Sequence, residues 1–224
     1  MKMKLLSRAI VAAVAIASNG VASAQTPAPA SAPATDRGYV EGVAQSAFGN
    51  VTSQSYGVEF GYTLRRDLQV YGEGGKIRDV ADDVFTGDAA AIANALSSLQ
   101  PAAVGFSARR PVTFFGGGIK YRPAVNLRAQ PYVLGGFGVG SVKNDVAFTL
   151  GGAAASESSL AQYVTLGSDL SGSSTKAMLT LGGGVVVPLW QQLILDLQYR
   201  FGRIFTEETG ISTNRAGVGI GVRF

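Results

Sequence analysis

Eight charged residues are conspicuous for their surroundings. Glu41, Glu59, Glu73, Lys120, Asp196, Arg200, Arg215 and Arg223 lie in stretches built mostly of glycine and apolar residues. Charged residues make up only 15% of the chain, against roughly 25% in an average soluble protein. Carboxylates and cations so placed have two chemistries open to them. They can pair as buried ions, because an unpaired buried charge is costly, or the carboxylates can serve as general acids and bases. Composition narrows the second option. The chain has no His and no Cys, so the commonest general base, the commonest metal ligand and any thiol nucleophile are missing. A carboxylate-only hydrolase built on Asp82, Asp83 and Asp88 would be the remaining catalytic arrangement. A solvated loop accounts for that segment, "DVADDVFTGD", more simply. The glycine runs "GGFGVGSV" (135–142), 116–118 and 182–184 lack the Gly-Lys-Ser/Thr ending of a phosphate loop and the following helix of a dinucleotide turn. They read as glycines that relieve crowding between strands. No catalytic, cofactor-binding or metal-ligating set is expected.

The elements that carry these charges have a period of two. In Tyr56 to Leu64, Tyr56, Val58, Phe60, Tyr62 and Leu64 share one face, and Gly57, Glu59, Gly61 and Thr63 the other. Alternate residues of a strand point to opposite sides. Leu193 to Phe201 repeats the pattern, setting its leucines against Asp196, Gln198 and Arg200. So does the last stretch, "GVGIGVRF", where Val218, Ile220, Val222 and Phe224 oppose glycines and Arg223. Five further strands are read at about 38–48, 68–77, 111–121, 130–142 and 176–187. Each of the eight is near the 9–11 residues that a tilted strand needs to cross a bilayer. No stretch qualifies as a transmembrane helix. The connections alternate in length. Arg65 to Asp67, Arg122 to Arg128 and Pro188 to Gln192 are short; Gly49 to Gln54, Arg78 to Arg110, Lys143 to Thr175 and Arg203 to Ser212 are longer.

This is the pattern of an all-β, eight-stranded antiparallel up-and-down barrel. In lipid such a barrel turns its apolar face outward and must close, since lipid offers no partner for an open edge. A soluble barrel would face water with Lys, Glu, Ser and Thr; here the less apolar face is glycine with the eight charges. Eight strands leave an interior just wide enough for side chains to fill, so the charges are expected to form a salt-bridge network across the lumen. The favoured reading is a polar plug, and the alternative is a gated narrow channel. Tyr62, Tyr121 and Tyr199 near strand ends, with Trp190 in a short turn, suit a membrane boundary. Within the long connections, 88–100 has helix-forming composition, with Asp88 as a cap and Pro101 as a stop. "DVAFTL" and "AQYVTLGS" are expected to form a projecting hairpin, or alternatively two added strands, making ten.

The first residues have the form of an export signal: Lys2, Lys4 and Arg8, then apolar 9–17, then Ala22-Ser23-Ala24. Cleavage is expected after Ala24. Residues 25–36 read as a Pro/Ala-rich periplasmic linker, and 37–224 as the barrel. Removal of three of the 19 basic residues leaves 16 − 15 = +1, so the apparent basicity is no argument for nucleic acid.

"GVGIGVRF" resembles the carboxy-terminal assembly signal of bacterial outer-membrane barrels in Gly219, Val222 and Phe224, although Gly217 stands where that signal is usually polar. With the export signal and eight strands, the chain resembles the small OmpA-like and opacity-protein barrels over about 37–224. The resemblance implies the bacterial outer membrane, short periplasmic turns, long outer loops, and insertion by the barrel-assembly machinery. It transmits no activity. Asn50-Val51-Thr52 matches a glycosylation acceptor pattern, taken as chance in a bacterial chain. The expected function is a non-enzymatic integral barrel with a role in surface recognition or envelope integrity. Its partners are outer-membrane lipid, the assembly machinery and an extracellular ligand at the loops, with no cofactor and no nucleic acid. A narrow channel for ions or small solutes is the alternative, and a soluble periplasmic ligand-binding barrel the third.

Overall fold

The computed structural model describes residues 37–99, 101–125, 127–155, 171–206 and 210–224. The expected export signal (1–24), the linker (25–36) and "AQYVTLGS" lie outside them. The strands are β1 (Gly38–Phe48), β2 (Ser53–Arg65), β3 (Leu68–Ile77), β4 (Val104–Arg109), β5 (Val112–Tyr121), β6 (Gln130–Leu150), β7 (Ala153–Ala154), β8 (Ser171–Pro188), β9 (Leu193–Ile204) and β10 (Ile211–Arg223). One helix, α1 (Asp83–Leu99), precedes β4. No described helix is long and apolar enough to cross a membrane; any crossing is by strands.

Eight strands close a ring in the order β1, β2, β3, β5, β6, β8, β9, β10, every pair antiparallel, with β10 returning to β1. The alternation in sequence becomes an alternation in burial. Along β2, Val58, Phe60 and Tyr62 are more than half exposed, while Glu59 between them is 1% exposed. The outward row continues through Phe115, Val133, Phe137, Leu181, Leu197 and Ile220. The seam is stitched by ten register pairs from Tyr39↔Arg223 to Phe48↔Asn214. At its end the Phe224 carbonyl accepts from the Arg37 and Gly38 amides at 2.7 and 3.0 Å, and the Phe224 amide donates to the Gly38 carbonyl at 2.9 Å.

The two remaining strands belong to the long-loop end. β6 runs past its expected end at 142 to Leu150, and β4 pairs with that extension from Val104↔Leu150 to Arg109↔Asp145. The ring therefore has eight strands, not ten. "DVAFTL" pairs with β4 and, at its tip, with β7. β8 likewise starts at Ser171 and stays paired with β6 out to Asp145. β4 and β5 are nearly continuous, broken at Arg110-Pro111. Pro111 has no amide to give to a ladder, and the Asp79 carboxylate accepts from the Arg110 amide at 2.9 Å beside that break. Asn50 is engaged here too, its side-chain amide donating to the Val80 carbonyl at 3.3 Å.

The helix begins at Asp83 rather than Asp88, and its cap is Asp82, whose Oδ1 accepts from the Phe85 amide at 2.9 Å. That is the N-cap to N3 bond. Asp82 to Asp88 are thus a cap and two helical turns rather than a loop. Phe85, Ala89, Ala93 and Leu96 recur at helical spacing and are buried; Phe85, Ala93 and Leu96 pack with Val104, Ala108, Val146 and Phe148 of β4 and the β6 extension. Arg110 lies over the Phe85 ring at 4.2 Å and reaches Asp82 at 3.4 Å. Asp82→Ala is expected to cost the helix about 1 kcal/mol. Limited proteolysis should then cut within 83–103 sooner, while the unboiled barrel keeps its gel mobility.

Candidate functional site

The inward faces of the eight ring strands form three layers. Toward the short-turn end, Tyr39, Tyr71, Tyr132, Leu134, Val186 and Ile194 cluster. Toward the loop end, Ala47, Ile77, Val112, Phe114, Val142, Met178, Ile204 and Ile211 pack with Val80. Between them lies a polar layer containing seven of the eight expected charges.

Register explains why that layer holds together. Glu41 stands opposite Glu59, and Glu59 opposite Glu73, so β1, β2 and β3 present three carboxylates in a row. Arg200 and Arg215 are opposite one another on β9 and β10. Like charges directly opposed destabilise a sheet. Each row is therefore tolerable only if it meets the other across the lumen, which it does at Glu59. Glu59 Oε1 accepts from Lys120 Nζ at 2.5 Å and from the Tyr39 hydroxyl at 2.5 Å; Oε2 accepts from Arg200 Nη2 at 2.5 Å. Glu59, Lys120 and Arg200 are each 1–2% exposed. The Lys120 ammonium lies between the Tyr39 and Tyr132 rings, 4.5 and 4.3 Å from their centroids. Cations favour such ring faces, more so when desolvated.

The other charges are held less tightly. The Tyr132 hydroxyl donates to Asp196 Oδ2 at 2.7 Å. Gln198 donates to Glu41 at 3.4 Å and accepts from Gln45 at 3.3 Å. Arg215 Nη2 is 3.7 Å from Glu73 Oε2, an ion pair beyond hydrogen-bond length, and its guanidinium stacks 4.3 Å over Phe114. Glu41 Oε2, Asp196 Oδ1, Arg200 Nη1 and Arg215 Nε have no protein hydrogen-bond partner. Two water-sized cavities adjoin two of these residues, Glu41 and Arg215. One, about 20 Å³, is lined by Tyr39, Glu41 and Lys120 toward the short-turn end; the other, about 10 Å³, by Gln45, Ser55, Glu73 and Arg215. Each has room for about one water, which can serve orphaned polar atoms. Arg223 is placed elsewhere, at the short-turn rim, where its Nε donates to the Gln191 carbonyl at 3.1 Å. Asp82 caps α1, and Asp83 and Asp88 lie within that helix; none of them belongs to the polar layer. Among the described residues no group of three or more His, Cys, Asp or Glu could hold a metal ion.

The glycines opposite the large inward side chains make room for them. A Cβ on Gly61 would collide with Cε1 of Tyr39, and one on Gly184 would lie 2.7 Å from the Tyr132 hydroxyl. Each ring crosses the neighbouring strand at a glycine to reach its carboxylate. Gly61→Ala is expected to destabilise the barrel by about 1–3 kcal/mol through overpacking. The measurement is the urea midpoint at which the folded, fast-migrating band disappears from unboiled gels.

Sequence reasoning missed the inward aromatics and Gln45, and it left Gln198 out of the expected network although parity already set it beside Asp196 and Arg200. The signal was present. Tyr39 is two residues from Glu41, and Phe114 is six from Lys120, so period two puts each on the charged face. Tyr132 shares the parity of Gly136 and Gly138 in the same way. Trp190 does sit exposed in its short turn, as do Tyr62 and Tyr121 near strand ends. Tyr199 lies further from an end than expected because β9 continues to Ile204, and its hydroxyl donates to Asn214 at 2.6 Å.

A family model for the outer membrane protein beta-barrel domain matches residues 9–224. Among solved structures, a Neisserial surface protein A is similar at 14% identity, with TM-score 0.51, over 84% of this chain and 96% of that one. A major outer membrane protein from Thermus thermophilus is similar at 14% identity, with TM-score 0.52, over 84% and 99%. At such identities the likeness is one of fold. No curated protein sequence matches the chain. With its closed eight-stranded ring, outward apolar wall and inward charges, the chain belongs to the outer membrane protein beta-barrel domain family and resides in the bacterial outer membrane.

Proposed function

We propose that this barrel is a non-enzymatic wall element of the outer membrane. Its lumen is plugged, and its loop end presents a folded surface for recognition or for support of the envelope. The observation that carries the reading is the lumen itself. Glu59 is gripped by Lys120 and Arg200, and a second barrier of apolar side chains lies between that layer and the loop end. An ion would have to break two short buried pairs and then cross an apolar layer. The same end carries α1 packed on β4, a structured projection rather than a bare turn. Long structured loops on a rigid scaffold are where specific binding tends to reside. In liposome-swelling assays the reconstituted protein should pass neither small sugars nor amino acids, and incubation with phospholipid should release no fatty acid. Swelling above that of empty liposomes, or lipid hydrolysis, would refute the proposal.

The second reading, a narrow ion channel, draws on the two water-sized cavities. They flank the Glu59 contacts, one toward each end of the polar layer. Exchange of Glu59 partners would have to join them, and the apolar layer beyond would have to part.

A further inference from the structure

We infer that the short-turn, periplasmic end is a docking surface for anionic phospholipid headgroups, formed by six arginines around the barrel rim. Among the described residues the side chains at that end are Arg37, Arg65, Arg66, Arg122, Arg128 and Arg223 against one acidic side chain, Asp67, a side-chain charge of 6 − 1 = +5. No Lys is among them. The loop end is mixed instead: Arg110 pairs with Asp82, and Arg109 stands opposite Asp145.

The position of the arginines selects the partner. Arg65 and Arg122 directly follow an exposed apolar residue at a strand's end, Leu64 and Tyr121, while Arg128 and Arg223 stand at the same rim beside the exposed Leu127 and Phe224. Those apolar neighbours are 45–66% exposed, and Trp190 in the third short turn is 77% exposed. Charge immediately past an apolar collar lies at headgroup depth, where long basic side chains extend to the interface. A soluble anionic polymer would need the charge but not the collar. Guanidinium groups also match phosphate geometry with two parallel hydrogen bonds, which an ammonium does not, and an anionic leaflet attracts basic residues near its surface.

Trp190 is the only Trp in the chain and stands at this end, so it reports the periplasmic rim even in symmetric vesicles. The refolded full chain is placed in phosphatidylcholine vesicles containing either brominated phosphatidylglycerol or brominated phosphatidylcholine at equal mole fraction. Quenching of Trp190 is expected to be roughly twofold stronger with the anionic lipid at low salt. The difference should vanish at about 1 M salt, where screening acts within about 3 Å. Arg65→Gln/Arg66→Gln/Arg128→Gln, three of the six, should lose roughly half of it. Lys76→Gln/Lys143→Gln at the loop end should keep all of it. Equal quenching by the two lipids overturns the inference. So does a preference that survives high salt or the triple substitution, or an equal change in Trp190 emission when soluble polyphosphate is added to phosphatidylcholine vesicles. The wild-type salt series alone decides the matter should the triple variant not refold.

Discussion

Glu59→Ala is expected to cost the barrel about 3–5 kcal/mol, the usual penalty for removing one partner of a buried ion pair. Two cations depend on this carboxylate. Without it, Lys120 and Arg200 remain 1–2% exposed, each missing a 2.5 Å contact. Arg200 is enclosed by the ring, with apolar side chains toward both ends, whereas Lys120 stands nearer the short-turn end beside a cavity that it shares with Arg122 and Arg223, so Arg200 carries the larger part of the loss. Urea titration in vesicles, followed by the mobility of the unboiled band, should show the loss. Glu73→Ala should cost less, because it strands one buried cation, Arg215, rather than two, and the contact that it removes is 3.7 Å long. Adding Lys120→Met to Glu59→Ala should recover part of the loss, since it removes a stranded charge from the lumen. A penalty below about 1 kcal/mol for Glu59→Ala would remove Glu59 from the centre of the plug.

The second large effect concerns assembly rather than the finished fold. Deleting Phe224 is expected to lower the amount of barrel in the outer membrane severalfold while leaving protein that still refolds in detergent. The structure sets the scale of the folding part. Phe224 contributes three backbone hydrogen bonds at the end of the seam, each worth a net 0.5–1.5 kcal/mol or so, against ten register pairs that remain between β1 and β10. Its ring is 66% exposed and points outward beside Val222 and Ile220, available to be read before the seam closes. Phe224→Ala separates the two roles by keeping the backbone bonds and removing the ring. It should assemble nearly as poorly as the deletion and refold as well as the parent. Normal outer-membrane yield for both variants would show that Phe224 carries no assembly signal.

The ring was legible because lipid imposes a strict rule on it. One face must be apolar at every second residue, and Tyr56 to Leu64 shows this without interruption. Alternating loop lengths then gave the up-and-down order. What the sequence hid lies where that rule lapses. Above the bilayer a strand need not be apolar on either side, so the extension of β6 through Lys143, Asn144 and Asp145, and of β8 back to Ser171, left no periodic mark. The start of α1 was misplaced because Asp82, Asp83 and Asp88 are all acceptable caps, and only the packing of Phe85 chooses among them. In the lumen the charged members were evident, but their pairing was not. The row Glu41, Glu59, Glu73 exists only through register, and register is a property of three strands together. Arg223 shares the parity of the inward face but lies too near the strand end to enter the polar layer.

The claim on which everything else rests is that the lumen is closed. Planar-bilayer recording on the refolded full chain tests it most directly. A plugged barrel should show no steady current above the bare membrane over a range of voltages and salts, with at most brief and rare openings. A sustained ohmic conductance in the unmodified protein would mean that water and ions pass both the Glu59 pairs and the apolar layer, and would contradict the account.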